Sequence, residues 1–585
     1  MSQPMNDGRD RRKSAWVAGV VLLATLARLA VFPERYEVRD VDEPGYLAGG
    51  LQLLEGWTPG TKAAPGATMY WITWAYAGVQ SAHHLVRPGP EERAVPFLLR
   101  PFVAVNHAIF DNYRDLSGLH VFMIAAFVLI SAAAAAAAAL LGYRCGGALG
   151  AVLAGGFFAL CPVFVEFTAM TRPYVLGWDF GLLAIYFATR GGVARAAVFT
   201  GLAVASRIEM LAVLPMVAWG LWDGAGAPPW RLGRPFARYV ALSALVSVAV
   251  APWLVTNMLG LIRSIVTVRF APPPEVNLPV ARAVAEVAFF QGAALALLAA
   301  AAGIARLPRG QRGRAILLLI YVLLLMAMFV RQSGFGLHQN ASMFVGVVLL
   351  LAVGARGLRE IAPLRRPRVM AAAVALILVL PFMMTARLAA RVARPGTGDG
   401  SVAWIEQNVP AGTTVYWMPA FALRQLLPTP RSADAAWETV TNVKAWQAKL
   451  QAGMSRLGVA AEDLPRALAD EHMIQDRGAR RGTFILGSRP AYPAPRYDLR
   501  LIGLPLMFHV ADVPGEWKRT GGVVVTRTIP GQPAPTEFGP PTAQWVHGGG
   551  VATYLYVSPN LAKPATRPAT STMTTTATTA PEQAH

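Results

Sequence analysis

Apolar segments long enough to cross a lipid bilayer recur through roughly the first two thirds of this 585-residue chain. A spanning helix needs about 20 consecutive, mostly apolar residues. Hydrophobic residues make up 54% of the chain, and the mean hydropathy is +0.41, which excludes an ordinary soluble protein. The pattern predicts a mainly α, polytopic membrane bundle of about eleven transmembrane helices. The predicted spans lie near 15–33, 119–142, 146–165, 173–189, 193–208, 210–223, 239–260, 283–304, 315–330, 341–355 and 369–386.

The chain has a net charge of +20, and its arginines are distributed according to the predicted spans. In a soluble protein this charge would indicate a nucleic-acid partner, but here arginines fall in every second loop, as positive-inside loops require. The N-terminus is therefore predicted to be cytoplasmic, with a retained signal anchor and no nucleic-acid partner. The loop arginines are Arg144, Arg190, Arg195, Arg231, Arg234, Arg238, Arg306, Arg309, Arg312, Arg314, Arg356, Arg359, Arg365, Arg366 and Arg368.

The opposite, outer face is predicted to hold the larger extramembrane parts of the chain. The organisation is a basic N-terminus (1–14), a transmembrane module (15–386) with a large first outer loop (34–118), an extracytoplasmic α/β domain (387–560) and a disordered tail (561–585). Within the outer domain, a helix near 402–409 precedes a Pro-x-Gly turn, and strands are predicted at 413–417, 483–486 and 522–528.

An acidic pair, Asp42-Glu43, follows the first apolar run at the predicted membrane surface. Ionisable groups at this level usually have a function, and a carboxylate can act as a general base. Asp42 is the candidate base, Glu43 its companion, and Asp40 a weaker competitor. The structural alternative is an acidic turn that caps a surface helix.

Two arginines on the predicted outer face, Arg207 and Arg172, are candidate ligands for an anion. Arg207 lies between two apolar runs, where a charge is costly unless it is used, and the planar guanidinium fits phosphate oxygens. A structural ion pair, such as Arg172 with Glu166, is the alternative. Glu209 is two residues from Arg207 and is not expected to share its helix face.

Other residues of the first outer loop and the two cysteines carry weaker signals. The aromatic stretch 65–80 predicts an interfacial helix or, alternatively, the lining of a groove. His83-His84 lacks metal-ligand spacing and is interpreted as interfacial packing or a solvated turn. Lys62 is a weaker phosphate candidate, and no disulfide is expected between Cys145 and Cys161.

Four short motifs, in this order and with this topology, resemble the GT-C glycosyltransferases. The likeness is strongest to the branch of protein O-mannosyltransferases and lipid A aminoarabinose transferases, and it covers roughly residues 15–420. The motifs are Asp42-Glu43-x-x-Tyr46, Thr171-Arg172-Pro173-Tyr174, Ala205-Ser206-Arg207-Ile208-Glu209 and Trp404-Ile405-x-x-Asn408-Val409-Pro410-x-Gly412.

The resemblance implies transfer of a sugar from a polyprenyl-phosphate-linked donor to a protein, lipid or glycan acceptor on the outer face. It implies Asp42 and Glu43 as catalytic residues, with no cofactor, and no residue is assigned as a metal ligand. Where the branch has an Arg-Tyr element before the tenth span, this chain has Gly336-Leu337-His338-Gln339-Asn340. The implied substrate-binding residues are Arg172, Tyr174 and Arg207. Two further candidates keep an alternative: Glu166 orders the site, binds a cation or forms a buried ion pair, and His338, in this departing stretch, contacts donor or acceptor or belongs to a plain polar loop.

Composition and architecture together predict a bacterial inner membrane protein in contact with membrane lipids. Two other functions remain open at this point. A polytopic transporter or flippase accounts for the many spans, and a non-catalytic assembly protein accounts for a retained fold. The large first loop and the outer domain favour the enzyme, and no internal repeat of the transporter kind is visible.

Overall fold

A computed structural model describes most of the helical part of the chain and a set of strands near its C-terminus. The described residues are 7–32, 66–89, 117–169, 172–225, 233–252, 292–330, 342–392, 413–417, 498–501, 521–528, 538–546 and 552–561, with single residues and short pieces between them. They fall into two compact units, one that holds the helices and one that holds the sheet.

The first unit is helical. Its helices are α1 (Asp7–Leu29), α2 (Ala67–Val86), α3 (Ser117–Gly150), α4 (Gly156–Leu160), α5 (Pro162–Thr168), α6 (Pro173–Thr189), α7 (Val193–Ser206), α8 (Leu214–Ala225), α9 (Gly233–Val250), α10 (Ala293–Ala305), α11 (Arg309–Val330), α12 (Ser342–Leu358) and α13 (Pro367–Val392). A π-helical turn (Ala151–Gly155) links α3 to α4, and 3-10 turns (Ile208–Val213 and Ala362–Arg365) precede α8 and α13.

Three helical stretches of the described chain are long and apolar enough to cross a membrane: Gly118–Leu160, Arg309–Ala327 and Pro367–Ala390. Shorter apolar helices run over Val193–Ser206, Ala293–Ala305 and Met343–Leu358. These are the features of a multi-pass membrane protein. The count of eleven spans stays a prediction.

The long run that contains α3 is broken where two consecutive glycines leave helical geometry. Gly146 has φ −133° and ψ 16°, and Gly147 has φ 59° and ψ −149°. Residues eight apart in a straight helix lie about 12 Å apart. A Cβ atom added to Gly142 would nevertheless meet the carbonyl oxygen of Gly150. The chain therefore turns back on itself here, in agreement with the two spans predicted on either side of this point.

Apolar side chains cover the outward faces of the long helices. On α11, Leu317 and Leu324 are 57% and 58% exposed, and on α13, Leu376 and Met383 are 61% and 60% exposed. Water-exposed faces of this composition would be unfavourable, whereas lipid chains match them. These helix faces are therefore the ones that contact the bilayer.

The region of the predicted spans at 193–208 and 210–223 contains two helices. Helix α7 ends at Ser206, Arg207 is extended (φ −155°, ψ 126°), and the 3-10 turn Ile208–Val213 leads into α8. The two helices overlap the two predicted spans, and the number of membrane crossings here stays a prediction.

Small residues allow α10 and α12 to pack with their backbones in contact. A Cβ atom added to Gly303 would collide with the backbone of Gly354, and one added to Gly354 would meet the backbone of Ala300. Close helix crossings of this kind are typical of membrane bundles. There the hydrophobic effect does not drive helices together, and small residues permit the close van der Waals packing that does.

Gly303→Ala is expected to destabilise the protein by about 1–3 kcal/mol, because the added methyl group forces the two backbones apart. Gly310→Ala on α11 is the matched control, since an added Cβ meets no atom within 4 Å there. Thermal unfolding in detergent measures both variants. Equal midpoints for the two variants would contradict the close crossing.

The second unit contains a five-stranded sheet in the order β2-β1-β3-β5-β4. The strands are β1 (Thr414–Trp417), β2 (Asp498–Leu501), β3 (Gly522–Thr528), β4 (Ala543–Val546) and β5 (Ala552–Val557). Strand β1 pairs in parallel with β2 and β3, whereas β5 is antiparallel to both β3 and β4.

Alternate residues of these strands build a core on each face of the sheet. Val415, Val523 and Leu555 pack on one face, and Val524 and Tyr556 pack on the other. The strand predicted at 522–528 is β3, and β1 coincides with the strand predicted at 413–417. The strand predicted at 483–486 lies outside the described residues, and the domain boundaries at 387 and 560 stay predictions.

Candidate functional site

The candidate site begins at the N-terminus of α6. Arg172 has an extended backbone (φ −116°, ψ 135°) at the position before the helix, and Pro173 is the first helical residue. Proline fits this position because its fixed φ suits the first turn and its missing N–H is not needed there. Arg172 is 3% exposed and Tyr174 is 5% exposed, so both side chains point into the protein.

The second element of the site is the break between α7 and α8. The 3-10 turn that follows Arg207 packs on α6 at positions without a Cβ atom. A Cβ added to Gly177 would lie 2.8 Å from Cγ of Met210, and one added to Gly181 would lie 3.3 Å from Cγ2 of Val213. These glycines share the helix face of Tyr174. The close approach therefore brings Arg207 over the ring of Tyr174.

Both arginines converge on Tyr174. The Cζ atom of Arg207 lies 3.9 Å from the centre of the ring, and that of Arg172 lies 5.9 Å from it. Both distances are within the range of cation–π attraction. Arg207 is 6% exposed, so two positive charges are buried around one aromatic ring.

Electrostatic repulsion between the two guanidiniums is part of this arrangement. Burial lowers the pKa of Arg172 to about 10, the phenol of Tyr174 opposes this shift, and the charge of Arg207 adds to it. Arg172 precedes the predicted span and still carries its charge at neutral pH. A bound anion would relieve the repulsion between the two cations.

Glu209 forms an ion pair with Arg207, contrary to the expectation from sequence. Nη2 of Arg207 donates to Oε1 of Glu209 at 2.5 Å, and Nε donates to Oε2 at 3.0 Å. The expectation was wrong because it assumed a continuous helix. The extended backbone of Arg207 lets the side chains at i and i+2 meet, and the bidentate pair fixes the orientation of the guanidinium.

A helix within the predicted first outer loop, α2, begins next to this site. Thr68, in the first turn of α2, makes a hydrogen bond between its hydroxyl and that of Ser206 at 2.6 Å, one residue before Arg207. The indole N–H of Trp71 donates to the carbonyl of Val250 at 2.9 Å. The helix predicted within 65–80 is therefore α2, and its first turn is buried against the bundle.

The start of the first outer loop lies at the same end of the bundle as Arg172. Val31, just after α1, packs in an apolar cluster with Val165 and Ala169, which come shortly before Arg172 in the chain. Both ends of the segment 33–65 are therefore attached close to the two elements that carry the arginines.

The structure brings together three of the predicted site residues: Arg172, Tyr174 and Arg207. Glu166 lies half-buried on α5, the helix before Arg172. The remaining candidates fall outside the described residues; they are Asp42, Glu43 and His338, together with the weaker candidates Asp40 and Lys62.

The histidines and cysteines do not build a site in the described chain. His83 and His84 lie in the last turn of α2 with their rings 6.2 Å apart. Cys145 and Cys161 are not joined by a disulfide. Within the described ranges, no group of three or more His, Cys, Asp or Glu residues could hold a metal ion.

Two buried charges inside predicted spans were missed from the sequence. Arg28 of α1 and Asp179 of α6 are each 1% exposed. Nη1 of Arg28 donates to the carbonyl of Ala24 at 3.1 Å, and Oγ of Ser131 donates to Oδ2 of Asp179 at 2.8 Å. The signal was present in the sequence, because each charge interrupts an apolar run.

No family model matches this chain, and no curated protein matches it. Among solved structures, it is similar to ArnT from Cupriavidus metallidurans in the apo state, at 12% identity and a TM-score of 0.46, over 94% of this chain and 99% of that chain. It is also similar to the same protein bound to undecaprenyl phosphate, at 12% identity and a TM-score of 0.43, over 94% of this chain and 100% of that chain. At this level of similarity these structures do not establish an activity.

Proposed function

We propose that this protein is a membrane glycosyltransferase. It transfers a sugar from a polyprenyl-phosphate-linked donor to a protein, lipid or glycan acceptor on the outer face of the bacterial inner membrane. The observation that carries the proposal is the convergence of the buried guanidiniums of Arg172 and Arg207 on the ring of Tyr174. Such a site suits the phosphate of a lipid-linked donor, which is an anion held at the membrane surface.

The arrangement supports phosphate binding in three ways. A guanidinium presents two parallel N–H donors, which match two oxygens of one phosphate group. Burial excludes water, so each charge-assisted hydrogen bond is stronger than at an exposed site. Glu209 and Tyr174 hold Arg207 in place, which lowers the entropy cost of binding.

Asp42 and Glu43 are proposed as the catalytic residues because the chain on either side of their segment packs near the arginines. Both ends of the segment 33–65 attach near the arginines, through Val31 at its start and Thr68 just after it. Asp42 lies ten residues beyond Phe32, and an extended chain of that length reaches about 35 Å. A chain of that length is long enough for the carboxylates to reach the bound phosphate.

The proposed reaction is a direct displacement at the anomeric carbon. Asp42 takes the proton of the acceptor hydroxyl while the oxygen of that hydroxyl bonds to the anomeric carbon. The bond between that carbon and the phosphate oxygen breaks, and the polyprenyl phosphate leaves with the electron pair. Arg172 and Arg207 stabilise the charge that develops on the leaving group. Glu43 orients sugar or acceptor hydroxyls.

Arg207→Gln is expected to weaken the affinity for undecaprenyl phosphate by roughly 10- to 150-fold, because a hydrogen bond to a charged group is lost. The probe is the lipid with which the neighbouring ArnT was crystallised. Binding to the purified protein in detergent measures the change. Arg365→Gln is the matched control, since Arg365 pairs with Glu360 at 3.4 Å on an exposed surface. Equal affinities of the two variants would contradict the phosphate site.

A labelled polyprenyl-phosphate sugar tests the function as a whole. Incubation of the protein in proteoliposomes with the labelled donor and an extract of outer-face acceptors should move the label from lipid to acceptor. Movement of intact donor across the bilayer without transfer would indicate a flippase. Absence of both, with intact binding, would indicate an assembly protein.

A further inference from the structure

A basic cavity lies at the opposite end of α6 from Tyr174. It has a volume of about 490 Å³ and opens at the turn between α6 and α7. Its guanidiniums come from three elements: the end of α6, the first turn of α7, and α9. The lining residues are Phe187, Arg190, Gly191, Gly192, Val193, Ala194, Arg195 and Arg238.

The turn between α6 and α7 shapes the floor of this cavity. Gly191 has φ 70°, a left-handed conformation that favours glycine. The N–H of Gly192 donates to the carbonyl of Phe187 at 2.9 Å, and that of Gly191 donates to the carbonyl of Ala188 at 2.9 Å. This is the Schellman pattern of helix termination. It reverses the chain within two residues and brings the first turn of α7 to the cavity.

The first turn of α7 adds positive potential to the cavity. Gly192 is the N-cap residue, and the described structure has no side-chain hydrogen bond that caps this helix. Backbone N–H groups at a helix N-terminus attract anions, and the helix dipole acts in the same direction. The turn therefore contributes donors in addition to the arginine side chains.

The arginines of the turn are oriented by aromatic side chains of α6. Nη1 of Arg190 donates to the hydroxyl of Tyr186 at 2.8 Å. The Cζ atom of Arg195 lies 5.6 Å from the centre of the Phe187 ring. As the described residues define the cavity, no acidic side chain is part of its lining.

Close packing of α7 against α9 brings Arg238 to the same cavity. A Cβ atom added to Gly201 would lie 2.6 Å from Cβ of Val246, so the two helices approach closely. The hydroxyls of Thr200 and Tyr239 are hydrogen-bonded at 2.9 Å. Tyr239 is the residue after Arg238, so this contact fixes the height of Arg238 beside the turn.

We propose that this cavity binds the phosphate group of an anionic membrane phospholipid. Two or more guanidiniums can share the oxygens of one phosphate, and basic pockets between transmembrane helices accept lipid head groups. A lipid is favoured over free phosphate because apolar residues on the helix faces of the cavity arginines point outward: Val198, one turn from Arg195, is 42% exposed, and Leu245, two turns from Arg238, is 63% exposed. Acyl chains can lie against them while the phosphate occupies the cavity.

The sequence places Arg190, Arg195 and Arg238 in loops on the predicted cytoplasmic side. The bound lipid would then belong to the inner leaflet, across the membrane from the proposed sugar-transfer site. Binding at this cavity is independent of sugar transfer.

Native mass spectrometry of the detergent-purified protein tests the proposal. Phosphatidylglycerol is titrated against phosphatidylcholine, and inorganic phosphate is added in a separate arm. We expect retention of phosphatidylglycerol over phosphatidylcholine, and a loss of affinity of roughly tenfold or more in Arg238→Gln. Arg234→Gln, one turn away on α9 and outside the cavity, is the matched control and should bind like wild type.

Arg190→Gln and Arg195→Gln should each lower the affinity for phosphatidylglycerol. The proposal is overturned if phosphatidylcholine is retained equally, or if Arg238→Gln and Arg234→Gln bind phosphatidylglycerol alike. Displacement of the lipid by millimolar inorganic phosphate at equal affinity would show a free-phosphate site, which overturns the lipid assignment.

Discussion

Asp42→Asn is expected to fold like the wild-type protein and to lose sugar transfer by roughly 100- to 10,000-fold, the usual contribution of a general base. Asparagine has nearly the same shape as aspartate but cannot take the proton of the acceptor hydroxyl. Binding of undecaprenyl phosphate should be unchanged, because the arginines that bind the phosphate are intact. The measurements are initial rates of label transfer and the affinity for the unlabelled lipid.

Asp40→Asn is the matched control, since it removes a carboxylate two residues away and should keep wild-type turnover. Wild-type turnover of Asp42→Asn would remove Asp42 from the role of base. Loss of turnover in Asp40→Asn alone would transfer that role to Asp40. A lower unfolding temperature of either variant would identify a structural effect instead.

The second large effect is expected on stability, at the buried charges Arg28 and Asp179. We expect the two buried charges to stabilise each other, so that Arg28→Met or Asp179→Leu leaves the remaining charge in the interior without compensation. The expected cost is about 3–5 kcal/mol for each single variant. The double variant should lose less stability than the two single variants lose in sum, because it leaves no isolated charge in the interior.

A double-mutant cycle measures this coupling from unfolding in mixed micelles. The exposed pair Arg365–Glu360 provides the control cycle, since its side chains are 65% and 62% exposed. Its coupling should be about 0–1 kcal/mol. Additive losses at Arg28 and Asp179 would show that their charges do not stabilise each other.

The sequence predicted the parts of the fold that depend on composition along the chain. Apolar runs identified most of the described helices, and the β-branched run at 522–528 identified β3 over the range that the structure has. The strands β2, β4 and β5 were not predicted, and β2 and β4 have only four residues each, too few for a clear alternation. Strand β2 forms through pairing with β1, which is distant in sequence, whereas β4 pairs with β5, which follows it closely.

The site shows the same limit. Residue type and topology identified Arg172, Tyr174 and Arg207, but their convergence depends on Gly177 and Gly181, whose role is visible only in the packing. The ion pair of Arg207 with Glu209 depends on the extended backbone of Arg207, which the spacing of residues in the sequence did not indicate. Arg28 and Asp179 lie in apolar runs, and only the structure shows that both side chains are buried in the core.

A structure of the protein with a bound undecaprenyl-phosphate-linked sugar analogue tests the central claim most directly. The measured quantities are the distances from the phosphate oxygens to the two guanidiniums and from the Asp42 carboxylate to the anomeric carbon. We expect the phosphate within about 2.7–3.2 Å of nitrogen atoms of Arg172 and Arg207, with Asp42 facing the anomeric carbon from the acceptor side. A phosphate bound elsewhere in the bundle, with neither guanidinium in contact, would contradict the account.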